Sequence, residues 1–100
     1  MKSKRAKACD ISPKTKQTVL DRDGHRCIFC GSQYAMPNAH VVSRGKLGLG
    51  IEQNVVTACL NCHRKMDQTI HRKEMLEKAN KYLDAIYGER NTEDLVYKNF

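Results

Sequence analysis

The chain has 100 residues with 6% aromatics and no tryptophan, enough for about one domain whose modest core gains from a disulfide or metal staple. Its formal net charge of +7, from 18 Lys and Arg against 11 Asp and Glu, favours a polyanionic partner. No apolar run follows the basic start as in a secretory leader, and none approaches the ~20 residues that cross a bilayer, so the expectation is a cytoplasmic protein with no membrane partner.

Residues 1–11 (MKSKRAKACDI) are polar and basic without apolar periodicity. They read as a flexible basic arm, with Lys2, Lys4, Arg5 and Lys7 available for non-specific phosphate contact, ahead of a single domain over 12–100. Ser12-Pro13 is a helix start, Ser as N-cap and Pro at the first helical position, and Gly24 ends that helix with Val19 and Leu20 on one face. Cys27-Ile28-Phe29-Cys30 is a tight turn presenting two thiolates, with His25 exposed in the turn before it. Residues 38–42 (NAHVV) suit a short strand, and 43–51, with three glycines, a mobile connection. Residues 54–58 (NVVTA) are again extended, and Cys59-Leu60-Asn61-Cys62 leads into a helix beginning near His63. The stretch Lys65 to Tyr87 lacks Pro and Gly, and Met75, Leu76, Ala79, Leu83 and Ile86 recur at spacings of three and four, which predicts one long helix with a core-facing stripe. Gly88 ends it, and the tail 91–100 adds a short helix capped by Asn91 or Thr92, with Leu95 and Val96 packing back.

A reducing compartment favours metal thiolates over disulfides, and five cysteines leave one beyond a set of four. Cys27-x-x-Cys30 and Cys59-x-x-Cys62 are a pair of pairs. The two-residue spacing lets both thiolates of a turn reach one tetrahedral Zn²⁺ at ~2.3 Å, and two such turns fill all four positions, which makes the site structural. A redox CxxC is the weaker reading, because a second matched pair is not expected there. With zinc bound by four thiolates the formal charge is still about +5. Cys9 lies in the arm without a CxxC partner and reads as a free thiol.

Around these turns His40, Asn54 and His63 recur at a spacing that zinc binding does not require, and Asp67 stands one helical turn beyond His63. An i, i+4 pair on one helix face can hold a single ion. With VLDRDGHRCIFCG, NAHVVSRG and QNVVTACLNCHRKMD in place, the segment from Val19 to Gln68 resembles the HNH endonuclease family, in its variant framed by two CxxC pairs. The resemblance covers about half of the chain. It implies a small α+β fold: a ββα-metal motif stapled by a four-cysteine zinc site, with an N-terminal helix and a long C-terminal helix.

It also implies roles: His40 as general base, Asn54 as the side chain that ties the loop and aims His40, and His63 as a ligand of a catalytic divalent ion. The residue before the base commonly binds that ion in the family. Here it is Ala39, which cannot, so His63 and Asp67 are the expected ligands, with His71 a weaker third. Asn38 alternates to the opposite strand face from Ala39 and is set aside. A nitrogen, a carboxylate and water suit Mn²⁺ or Mg²⁺. Arg44 and Lys46 beside the glycine-rich loop, and Arg64 and Lys65 after His63, are the expected phosphate contacts on DNA, extended by Arg72 and Lys73. With no recognition module, the expected activity is nicking of one strand with low sequence specificity, and a place in phage or restriction-type biology rests on analogy alone. Two readings compete with this enzyme: a non-catalytic zinc-ribbon module that binds nucleic acid, and a structural zinc adaptor that binds protein.

Overall fold

The sequence supplies one long β-branched run, Val55-Val56-Thr57, and the whole fold is assembled over it. In the computed structural model, which describes residues 3–68 and 70–98, this run lies in β2 (Val55–Cys59), every residue of which is buried. Its antiparallel partner is β1 (Ala35–His40), with Ala35 opposite Cys59, Met36 opposite Ala58, Ala39 opposite Val56 and His40 opposite Val55. The pairing is irregular between Met36 and Ala39, where β1 carries one more residue than β2. Pro37, with no N–H to donate, sits in that bulge. β1 thus starts earlier than the predicted 38–42 and ends at the candidate base.

Ser12 caps α2 (Pro13–Arg22) through its hydroxyl, which accepts the Thr15 amide at 3.1 Å, and Gly24 follows its end at φ +70°. Val19 is fully buried where α2 packs on the sheet. After β2 the chain enters α3 (Leu60–Gln68) directly and then α4 (Arg72–Tyr87), which packs on α3. Cys27, Ala39, Val41, Val56, Ala58, Cys59, Cys62, Met66, Ala79 and Leu83 form one buried cluster, so three of the four paired cysteines are part of the core, while Cys30 is exposed.

The structure differs from the sequence expectations in its helices and in the connection 43–51. The arm contains a short helix, α1 (Lys4–Cys9), with the Ser3 hydroxyl accepting the Ala6 amide and Cys9 buried. At six residues it is too short to display an apolar period. Lys2 lies outside the described residues. The single long helix is divided in two, α3 ending at Gln68 and α4 beginning at Arg72; Thr69 lies outside the described residues. Met66 and Ala79 are both buried, yet a continuous helix would set them about 140° apart, so the apolar stripe changes phase and the axis must change with it. Ile86, placed on the predicted stripe, is 45% exposed.

The glycine-rich connection 43–51 is also not slack. It contains a 3₁₀ turn, Arg44–Lys46, and Gly48 and Gly50 are buried where neighbouring backbone passes so close that a Cβ would collide with it. The tail packs back as expected. Thr92–Leu95 is a 3₁₀ turn, Leu95 is buried, and Val96 bridges Gly48; residues 99–100 lie outside the described residues. Among the described residues no helix is long and apolar enough to cross a membrane.

Candidate metal site and active cleft

Two turns bring the four predicted cysteines together. In the first, the Gly31 amide donates to the Cys27 carbonyl at 2.9 Å with Gly31 at φ +79°, and the Ile28 amide donates to the Thr57 carbonyl at 3.1 Å, pinning the turn beside β2. In the second, at the β2–α3 junction, the Cys62 amide donates to Cys59 Sγ at 3.4 Å. The Sγ atoms of Cys27, Cys30, Cys59 and Cys62 all lie within 4.8 Å of one another, and Cys30 and Cys59 are 3.6 Å apart. A tetrahedral ion with ~2.3 Å bonds to sulfur needs edges of about 3.8 Å. The cluster is therefore positioned to hold a metal ion and is compatible with structural zinc, while all five cysteines are free of disulfides. Burial alone raises the Cys27 thiol, but backbone donors of Cys59, Cys30 and Phe29 outweigh it and bring the group down to about 7. Cys62 is pushed up by burial and by its three thiol neighbours, the repulsion that a bound cation relieves.

His40, His63 and Asp67 meet in one cleft of about 460 Å³, whose walls also carry Asn38, Arg44 and Arg72. β1 supplies Asn38 and His40, and α3 supplies His63 and Asp67 one turn apart, with Nε2 of His63 3.3 Å from Oδ2 of Asp67. Two residues apart on one strand, Asn38 and His40 share a face. Ala39 is fully buried in the core cluster. The alternation that set Asn38 aside is the one that puts it in the cleft.

His40 Nε2 lies 2.8 Å from the carbonyl oxygen of Cys9. Burial, with the charges of Arg44 and His63, holds its pKa below the ordinary histidine value against the opposing pull of the Cys9 carbonyl and Asp10. Asn54 is fully buried and closes the base of the β1–β2 connection. Its Oδ1 accepts the Val42 amide at 2.8 Å, while Nδ2 donates to the carbonyls of Leu49 at 2.8 Å and Val42 at 3.2 Å. The Val41 amide donates to the Asn54 carbonyl at 2.8 Å, so the residue just after His40 is held as well.

Arg44 and Arg72 are the predicted phosphate contacts that line the cleft, where Arg44 is paired with Asp10 at 2.6 Å. Lys46 and Arg64 are exposed outside it, and Lys65 and His71 border a separate depression beside Cys30 and Cys62. His71 thus does not extend the His63–Asp67 row. His25 is exposed and bonded to Asp21 at 2.8 Å.

Sequence reasoning missed the supports behind the cleft. Arg22 donates to the carbonyls of Glu52 at 2.6 Å and Val55 at 2.7 Å, and Arg90 donates to that of Gln53 at 2.6 Å, so the neighbours of Asn54 are clamped by two guanidinium groups. Arg22 also pairs in bidentate fashion with Asp23, whose carboxylate is wholly buried and accepts from Tyr82 at 2.7 Å and the Thr57 amide at 2.8 Å. Burial and the hydrogen bond to Asp23 push the Tyr82 phenol up to about 12, which keeps it a neutral donor. A guanidinium that grips backbone carbonyls leaves no paired residue type in the sequence to find it by. No protein-family model matches the chain, and no curated protein matches it.

Proposed function

We propose that the chain is a metal-dependent endonuclease of the HNH type that nicks DNA with low sequence specificity, its fold stapled by zinc in the four-cysteine cluster. The observation that carries this reading is the convergence of His40, His63 and Asp67 in one cleft walled by Arg44 and Arg72, with Asn54 bracing the connection behind it. The family resemblance of the segment from Val19 to Gln68 supports it, and so does the net charge of +7.

His63 and Asp67 would hold Mn²⁺ or Mg²⁺, and such an ion, when bound, stabilises the charge that develops on a phosphate under attack. A hard cation accepts one imidazole, one carboxylate and several waters. Asn38, on the same wall, offers its amide to that water shell. His40 enters the reaction neutral, with Nε2 engaged by the Cys9 carbonyl, so Nδ1 is the atom that takes the proton of the attacking water. The oxygen of that water forms the new bond to phosphorus as the bond to the leaving oxygen breaks. Arg44 and Arg72 balance the negative charge of the phosphate.

A supercoiled-plasmid assay with Mn²⁺, Mg²⁺ or EDTA tests the proposal. Open-circle product is expected only with an added ion, and His40→Ala, still zinc-loaded and folded, is expected to lose about 100-fold or more of the rate. The competing reading is a zinc-ribbon module that binds nucleic acid without cutting, and it is favoured because His63 and Asp67 are the only two proposed ligands of the catalytic ion among the described residues of the cleft. Intact plasmid with zinc-loaded wild type and either ion would hand the assignment to that module, and salt-dependent DNA binding would then separate it from a protein-binding adaptor.

A further inference from the structure

We infer that the N-terminal segment Ala8–Asp10 is a positioning element of the active site: its Cys9 carbonyl fixes the ring orientation and tautomer of His40. This rests on the nuclease reading above and adds to it a part of the chain that the resemblance does not cover.

A carbonyl oxygen can only accept, so the 2.8 Å contact requires the proton of the neutral ring on Nε2 and leaves the lone pair on Nδ1. The acceptor is available because Cys9 ends α1, and the last carbonyls of a helix have no donor within it. Three further contacts hold the segment in place. The Gly50 amide donates to the Ala8 carbonyl at 3.0 Å, Asp10 pairs with Arg44 at 2.6 Å, and the Cys9 side chain is buried. Gly50 is what lets this happen, since a Cβ there would run into the backbone carbonyls of Asp10 and Cys9. The glycine of the connection, the end of α1 and the candidate base are therefore one mechanical unit. A second cleft, of about 370 Å³, lies between this segment and α2 and shares Asn38, His40 and Arg44 with the first, so Asp10 stands at the edge of the reaction site.

Two substitutions in the full-length chain displace the segment and alter no charged residue. Gly50→Ala places a methyl group where the Cys9–Asp10 backbone passes. Ala8→Pro breaks α1 from within at a position outside the core, and so serves even where Gly50→Ala does not fold. The readouts are the His40 Nε2–H proton in ¹⁵N-edited NMR of the zinc-loaded protein and the nicking kinetics. In wild type that proton is expected to be protected from solvent exchange. In both variants it should be lost, with kcat falling about 10- to 100-fold while KM stays within about threefold, as for a base that is present but misaimed. A proton that stays protected in both variants, or nicking indifferent to its loss, overturns the positioning role alone. A wild type that never nicks overturns the nuclease reading, and the positioning role with it, even where the proton responds as expected.

Discussion

The two ends of the β1–β2 pair are both clamped, by different chemistry. At one end four thiol groups from two turns converge within 4.8 Å and are positioned to hold a metal ion. At the other, Arg22 and Arg90 grip the carbonyls of residues 52, 53 and 55, and Asn54 spans the connection between the strands. A bound cation would complete the first clamp. The second is complete within the polypeptide, because each guanidinium finds a carboxylate, Asp23 for Arg22 and Asp84 for Arg90. The cleft lies between them, with His63 and Asp67 borne on the helix that the cysteine end anchors and His40 on the strand whose connection Asn54 holds.

Breaking the cysteine end should have the larger effect. Structural zinc contributes about 10–16 kcal/mol in small domains, as much as or more than the ~5–15 kcal/mol net stability of a folded protein. Cys62→Ser, or removal of the ion by a strong chelator, is therefore expected to abolish cooperative folding, read as loss of helical signal in circular dichroism. A chelated chain that melts like the untreated one would show the thiol cluster to be dispensable.

Breaking the arginine end should weaken the fold without abolishing it. Asp23→Ala removes a wholly buried carboxylate and strands three donors: the Arg22 guanidinium, the Tyr82 hydroxyl and the Thr57 amide. Leaving a buried charge unpaired costs about 3–5 kcal/mol. Urea titration should show a loss of that order while zinc stoichiometry is unchanged. A loss below about 1 kcal/mol would mean that the cysteine end alone carries the fold.

The contrast also explains what the sequence discloses. Metal chelation by paired cysteines imposes a short fixed spacing, so Cys27, Cys30, Cys59 and Cys62 are legible as a unit, as is the Ser12-Pro13 helix start. The arginine clamps join residues some 30 or more positions apart, Arg22 to Glu52 and Arg90 to Gln53, through main-chain oxygens that any residue supplies. Nothing local marks them. Gly48 and Gly50 mislead for a related reason, since a glycine required for close backbone approach looks the same in sequence as one that confers freedom. At Asn38 the strand alternation holds, and it puts Asn38 beside His40 in the cleft wall while Ala39 lies in the core. The division between α3 and α4 is present in the phase of the apolar residues, Met66 against Ala79 and Leu83, and is hidden by the absence of Pro and Gly.

The smallest effect is expected at Thr57, where the two clamps nearly meet. Its carbonyl accepts from Ile28 in the first cysteine turn and its amide donates to Asp23, so the backbone of this one residue serves both ends. Its side-chain hydroxyl is buried and has no hydrogen-bond partner among the described residues. An unpaired buried hydroxyl is a cost of about 1–3 kcal/mol that a methyl group of similar size does not carry. Thr57→Val keeps the β-branched shape and both backbone bonds, so the urea midpoint should stay level or rise, with any change within about 1–2 kcal/mol. A clear loss of stability would mean that the hydroxyl has a partner, such as a buried water linking the ends. The clamps would then act as one cooperative unit, and Asp23→Ala should weaken zinc binding as well.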